Sequence, residues 1–283
     1  MMNLRLGKPF GAIVAAWICV LASPAAFGQI ELRFGNPGVQ NTAVTGTIQQ
    51  NFDSLTAGQS YATIDYPNGA ASIGTFTPAP STGSNWVRAA DQFGGAGGTG
   101  NFLLSGNVAG ISTPLNHTLS LNSNAGYFGV WVPSMDSFNQ IRFLQNGTLI
   151  ATFNASTLLG GSSPLQPGLY NAVTGTGHFG NPNPQFNQGN PLEPFVYLNF
   201  YAENAASQFN AIEFIQLGGN GGFEIDNLAI SNVIIATGRD GTLVGPLPVP
   251  EPFGLTAAGA AALFGLSHLR RKFRTSFPNE PKA

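Results

Sequence analysis

Between residues 29 and 249 the chain contains no lysine and no cysteine. Charged residues make up only 8% of its 283 positions, about a third of the roughly 25% usual in globular domains. The missing lysines exclude Schiff-base chemistry, a lysine nucleophile and a Walker-type phosphate loop. In the same stretch four arginines, Arg33, Arg88, Arg142 and Arg239, stand against eleven acids, a net charge of −7. Such a surface cannot neutralise phosphates, so no nucleic-acid partner is expected. The missing cysteines exclude disulfide staples and thiolate-held metal. With 37 glycines and 20 prolines, about a fifth of the chain is Gly or Pro, below the roughly 25–30% of low-complexity sequence. Hydrophobic residues at 43% are enough to bury a core.

The other seven basic residues sit at the two ends. The first 28 residues read as a secretory signal peptide. Arg5 and Lys8 form its charged start, and Phe10 to Ala22 is apolar, broken only by Gly11. Ala26-Phe27-Gly28 places small residues for cleavage before Gln29. The run is shorter than the ~20 residues of a membrane span. The single cysteine, Cys19, lies inside it behind Ala16-Trp17-Ile18, too bulky for a lipoprotein site.

The C-terminus has three parts in order. Val249-Pro250-Glu251-Pro252 comes first, then the apolar run from Phe253 to Leu269, then Arg270, Arg271, Lys272 and Arg274 around Phe273. Seventeen helical residues reach about 25 Å, near the short end of a bilayer crossing. Basic residues stay on the cytoplasmic side, so the body faces outward. The prolines flanking Glu251 hold the chain extended, the form that enters a processing enzyme's cleft.

These three elements resemble the PEP-CTERM sorting signal of exosortase-processed surface proteins. The resemblance implies export from a Gram-negative bacterium and an inner-membrane precursor held by its C-terminal helix. It further implies exosortase as a partner, cleavage near Pro250-Glu251-Pro252, and release or attachment at the cell surface beside extracellular polysaccharide. The family usually ends just after the basic cluster, whereas Thr275 to Ala283 continue here. The expected organisation is a signal peptide at 1–28 and a β-sandwich at 29–237. A Pro/Gly linker with the sorting motif follows at 238–252, then a transmembrane helix with basic cluster at 253–274 and a cytoplasmic tail at 275–283.

The body shows short β-type runs punctuated by Gly, Asn and Pro, with no repeat of fixed period. Strands are expected at 47–52, 60–65, 72–77, 86–90, 101–104, 117–121, 127–132, 138–144, 148–153, 195–201, 209–217 and 223–230. One helical turn is expected at 155–159. Asn146-Gly147 suits a type I′ turn, which pairs Leu144 with Leu149 and Phe143 with Ile150. Both faces of that hairpin are then apolar, which places it well inside a sheet. On the last strand a bulge near Asp226-Asn227 lets Phe223, Ile225, Leu228 and Ile230 all point inward. The fold class is all-β, a single lectin-like jelly-roll sandwich. Residues 162–194 read as one long surface loop, functional or mobile.

Four body segments are similar, in order, to segments of exosortase-dependent proteins. They are Tyr127-Phe128-Gly129-Val130-Trp131, then Gly147 through Phe153, then Glu193 through Phe200, then Phe223-Glu224-Ile225-Asp226-Asn227. The resemblance implies a lectin-like sandwich without known chemistry.

Catalytic motifs are sparse. Gly95 to Gly100 and Gly175 to Gly180 match a dinucleotide fingerprint in letters, but neither follows an apolar strand or opens a helix. There is no Gly-x-Ser-x-Gly elbow. His117 and His178 lack a third strong metal ligand. Glu224 and Asp226 lie two apart on a strand and share a face. Glycosidases on lectin-like sandwiches use a Glu-x-Asp-x-x-Glu strand. The third position here is apolar, Ala229 or Ile230 depending on a bulge, so the second carboxylate of a retaining enzyme is missing. Oxygen-rich Asp53, Glu224 and Asp226 suit calcium if the first and last strands are neighbours; otherwise they are solvent-facing acids beside a core strand. Trp86, Trp131, Tyr197 and Tyr201 could stack on sugar rings or fill the core. The reading is an exported, non-catalytic surface protein without a cofactor, calcium apart. A carbohydrate-binding module is the alternative, and a glycoside hydrolase the third.

Overall fold

The computed structural model describes residues 29–68, 71–78, 85–106, 115–218 and 222–250. The expected signal peptide, apolar run and basic cluster lie outside the described residues. No helix among the described residues is long and apolar enough to cross a membrane. The chain divides into a unit ending at Pro248 and a second from Val249 onward, of which only Val249 and Pro250 are described.

In chain order the strands are β1 (Ile30–Phe34), β2 (Ile48–Gln50), β3 (Ser60–Tyr61), β4 (Ile64–Tyr66), β5 (Gly74–Pro78), β6 (Asn85–Ala89), β7 (Asn101–Gly106) and β8 (Leu115–Ala125). They continue as β9 (Tyr127–Val132), β10 (Asn139–Gln145), β11 (Thr148–Asn154), β12 (Val196–Ala202), β13 (Phe209–Gln216), β14 (Gly222–Ser231) and β15 (Thr242–Pro246). A single helical turn, α1 (Ser156–Leu159), falls at the expected place. The strands form two antiparallel sheets, so the body is an all-β sandwich. The larger sheet runs β15-β1-β12-β9-β14-β7-β6-β3, with β2 also on β14. The smaller runs β11-β10-β13-β8-β5-β4.

The core is aromatic. Phe128 of β9 stacks on Phe200 of the same sheet at 5.9 Å and meets Phe143 and Phe214 of the other sheet edge-on. Phe223 reaches Phe214 from β14, and Phe200 reaches Phe153. These rings interlock the sheets without any covalent staple.

The bulge on β14 occurs where expected. Pairing with β9 slips between Asp226 and Ala229, and Asn227 adopts a positive φ of 45°. Phe223, Ile225, Leu228 and Ile230 all join the central core. β2 pairs with β14, so the expected first and last strands are neighbours.

Three expectations change. The hairpin turns at Asn146 and Gly147 and pairs Leu144 with Leu149, but a second bulge then pairs Phe143 with Ala151, not Ile150. Ile141, Phe143, Ile150, Ala151 and Phe153 thereby all reach the core. The outer face then carries Arg142 and Thr152, and β11 stands at the edge of the smaller sheet, not inside it. β1 was not anticipated; it lies against β12 in the large sheet. Residues 242–246, placed with the linker by sequence, form the edge strand β15 on β1.

Replacing Phe128 with Ala should cost about 3–5 kcal/mol, because it removes ring contacts on both sheets. Urea denaturation should show an earlier midpoint with unchanged slope; an unshifted midpoint would sink this account of the core.

Candidate functional site

Strands normally alternate between core and water. Here β9 and β12 are buried at every position, and β14 at all but Asn227. Their second face carries Tyr127, Trp131, Tyr197, Tyr201, Glu224 and Asp226, and loops cover it. Gly129 sits between the hydroxyls of Tyr127 and Tyr197, where any Cβ would collide with both. Tyr127 donates to Asn199 at 2.7 Å and pairs with Thr42 of the 36–46 loop at 2.6 Å. Tyr197 donates to the Asn227 carbonyl exposed by the bulge. Of the four aromatics that could stack on sugars, Trp131, Tyr197 and Tyr201 are therefore structural.

Within residues 162–194, the stretch 177–183 packs into this cover, while 171–176 lie exposed on the surface as expected. His178 is almost fully buried and bridges two segments. Its Nδ1 accepts from the Gln166 amide, which leaves Nε2–H to donate to the Gly35 carbonyl. Burial holds its pKa below the usual imidazole value, so it is neutral. Asn183 donates to Gly95, and Asn181 to Asp91 and Gln92. The two glycine-rich fingerprints are loops within or beside this cover. The first closes as a 3-10 turn at Ala96–Gly98, and neither opens an α-helix.

The candidate acids are separated by role. Asp226 accepts from the amides of Ala96 and Asn227, pinning the first glycine loop onto β14. Asp53 is exposed and accepts from the Asn101 amide and the Asn51 side chain. Glu224 is nine-tenths buried on the same face as Asp226. Asp53 is the solvent-facing acid of the alternative reading, whereas Glu224 and Asp226 are both covered. Among the described residues no three His, Cys, Asp or Glu side chains are grouped to hold a metal. The bulge sends Ala229 to the outer face, where a glycosidase would need its second carboxylate. His117 pairs with Ser105 at 2.5 Å, but both are sealed between the sheets.

Trp86 differs from the other three aromatics. It is 47% exposed on β6, next to the edge strand β3. Arg88, two residues on, shares its face, and Val87 between them is in the core. Arg88 pairs with Asp91 at 3.1 Å, and Asp91 is itself held by the Phe93 amide. These residues line an open depression of about 600 Å3 with Ala57, Gly58 and Ala90. A smaller cleft of about 320 Å3 lies among Tyr170, Asn181, Asn183, Asn187 and Gln188. Arg88 and Asp91 were not singled out from sequence, although period-two spacing places Arg88 beside Trp86.

No family model, curated protein or solved structure matches this chain.

Burial pushes the carboxyls of Glu224 and Asp226 up to about 8 each. For Glu224 the nearby acids Asp136, Glu193 and Asp91 add to the effect. In the unfolded chain both return to near 4. The folded state therefore binds protons that the unfolded state releases between about pH 4 and pH 8, and stability falls across that window. Glu224→Gln should flatten the fall and exceed the parent at pH 8 by at least about 1 kcal/mol. Urea titrations at pH 5 and pH 8 check this; parallel losses in parent and variant would contradict it.

Proposed function

We propose that this chain is an exported, non-catalytic surface protein whose lectin-like jelly-roll body is delivered by a PEP-CTERM signal and processed by exosortase. A membrane-held precursor, tethered by the helix at 253–269 with Arg270, Arg271, Lys272 and Arg274 on the cytoplasmic side, becomes a product in the extracellular polysaccharide matrix.

The observation that carries this reading is where the compact body stops. Leu247 is buried in the core, and its amide donates to Ile30. Pro248 accepts from the Thr152 amide on the edge of the smaller sheet. The compact unit ends there, one residue before Val249-Pro250-Glu251-Pro252. Cutting at the motif leaves every described strand of the sandwich in the product. The non-catalytic reading draws on the acids, since Asp226 is committed to two backbone amides and Ala229 stands where a second carboxylate would act.

Replacing Pro250, Glu251 and Pro252 together with Ala should leave the full-length chain in the inner membrane. Fractionation and immunoblotting of the producing cells would show this. Normal release of the variant would refute the sorting assignment.

A further inference from the structure

We propose that the Trp86 depression binds a neutral polysaccharide, with a pyranose ring stacked on the indole and its hydroxyls bonded to the Arg88–Asp91 pair. The site lies wholly in the body, so this proposal and the sorting assignment stand or fall separately.

Three features coincide there. First, Trp86 is 47% exposed and lines the depression. Among the described residues, its neighbours in the lining at 57, 58, 89 and 90 are Ala, Gly, Ala and Ala, none with atoms beyond Cβ. The rim is fixed, because the Gly58 amide donates to Val87 and the Val87 amide to Gln59. The flat apolar face of a sugar ring, with its C–H bonds directed outward, matches an aromatic face in shape and polarity. Second, the polar partners are already oriented. Phe93 holds Asp91, Asp91 holds Arg88, and both side chains keep about a third of their surface in water. Spare guanidinium N–H groups and carboxylate lone pairs suit hydroxyls, which donate and accept at once. Third, about 600 Å3 falls within the roughly 300–1,000 Å3 of small-ligand sites.

Charge selects the ligand class. Arg88 is neutralised by its own partner, and each of the other three arginines also faces an acid. With eleven acids against four paired arginines and no lysine in the body, an anionic chain meets repulsion without a free cation to hold it. A protein partner needs about 800 Å2 on each side, built around several large anchors. This depression offers one.

The test uses the full-length protein in detergent and isothermal calorimetry with cellohexaose, xylohexaose, mannohexaose and laminarihexaose, and with hexagalacturonate as the anionic control. At least one neutral hexasaccharide should bind, and hexagalacturonate should not. Trp86→Ala should weaken binding at least about tenfold, with Trp86→Phe retaining most of it. Asp91→Asn should weaken it several-fold. The thermal midpoint of Trp86→Ala should stay within about 2 °C of the parent, since the ring is half exposed. No binding of any neutral hexasaccharide, equal binding by Trp86→Ala, or tighter binding of hexagalacturonate would each overturn the proposal.

Discussion

Burial of β9, β12 and β14 on both faces is the constraint that shapes everything around them. An antiparallel sheet normally leaves one face to water. Here the second face carries tyrosines, an asparagine and two acids, each with a polar end that must be met. An unmet buried donor or acceptor costs about 1–3 kcal/mol. The cover and the sheet meet some of them, often with backbone, while among the described residues the Trp131 Nε1 and Asn199 Nδ2 groups are buried without a partner. The Ala96 amide reaches Asp226, and the carbonyls of Gly35, Gln40 and Gly95 accept from His178, Asn227 and Asn183. Loops dense in glycine, asparagine and proline suit this task, because they present bare peptide groups and tolerate positive φ.

The scarcity of cations acts on the same face. Arg33 and Arg239 both bond Glu31, and Arg239 also pairs with Glu203 and lies 5.3 Å from the Tyr201 ring centroid. They bind the 231–241 segment and the final strand to β1 and β12. Arg142 is occupied by Glu213 and Arg88 by Asp91. None is left to neutralise Glu224 or Asp226, so burial makes these carboxyls hold their protons. The composition that argues against nucleic acid therefore also sets the protonation of the sheet's covered face.

Much of the sandwich is legible in sequence, because period-two alternation is a local property. It located β9 with the correct ends, and it located the β14 bulge from the slipped phase of Phe223, Ile225, Leu228 and Ile230. Non-local features were not legible. The hairpin bulge that admits Ile150 to the core depends on packing against the other sheet. β1 abuts the expected signal cleavage site, and β15 lies in a glycine- and proline-rich stretch; neither has an obvious pattern until each finds its partner. The calcium reading took the adjacency of β2 and β14 correctly, and Asp53 lies near enough to Asp226 to raise its pKa. Asp53 and Asp226 each accept from a backbone amide of the 96–101 segment.

Trp86 and Trp131 make the limit concrete. Both lie on the outer face of the larger sheet, and alternation assigns that face to each of them. Trp131, on β9, lies beneath the cover and packs against Phe195. On β7 the cover still extends over Phe102, whose ring lies where a Cβ on Gly94 would sit. One strand further, at β6, the described residues lining the depression with Trp86 are Ala57, Gly58, Arg88, Ala89, Ala90 and Asp91. Which face a strand residue occupies follows from its immediate neighbours. Whether water or a ligand reaches it depends on how far loops from distant parts of the chain extend. The open site is therefore found at the margin of the cover, where the sheet outruns the loops that shield it.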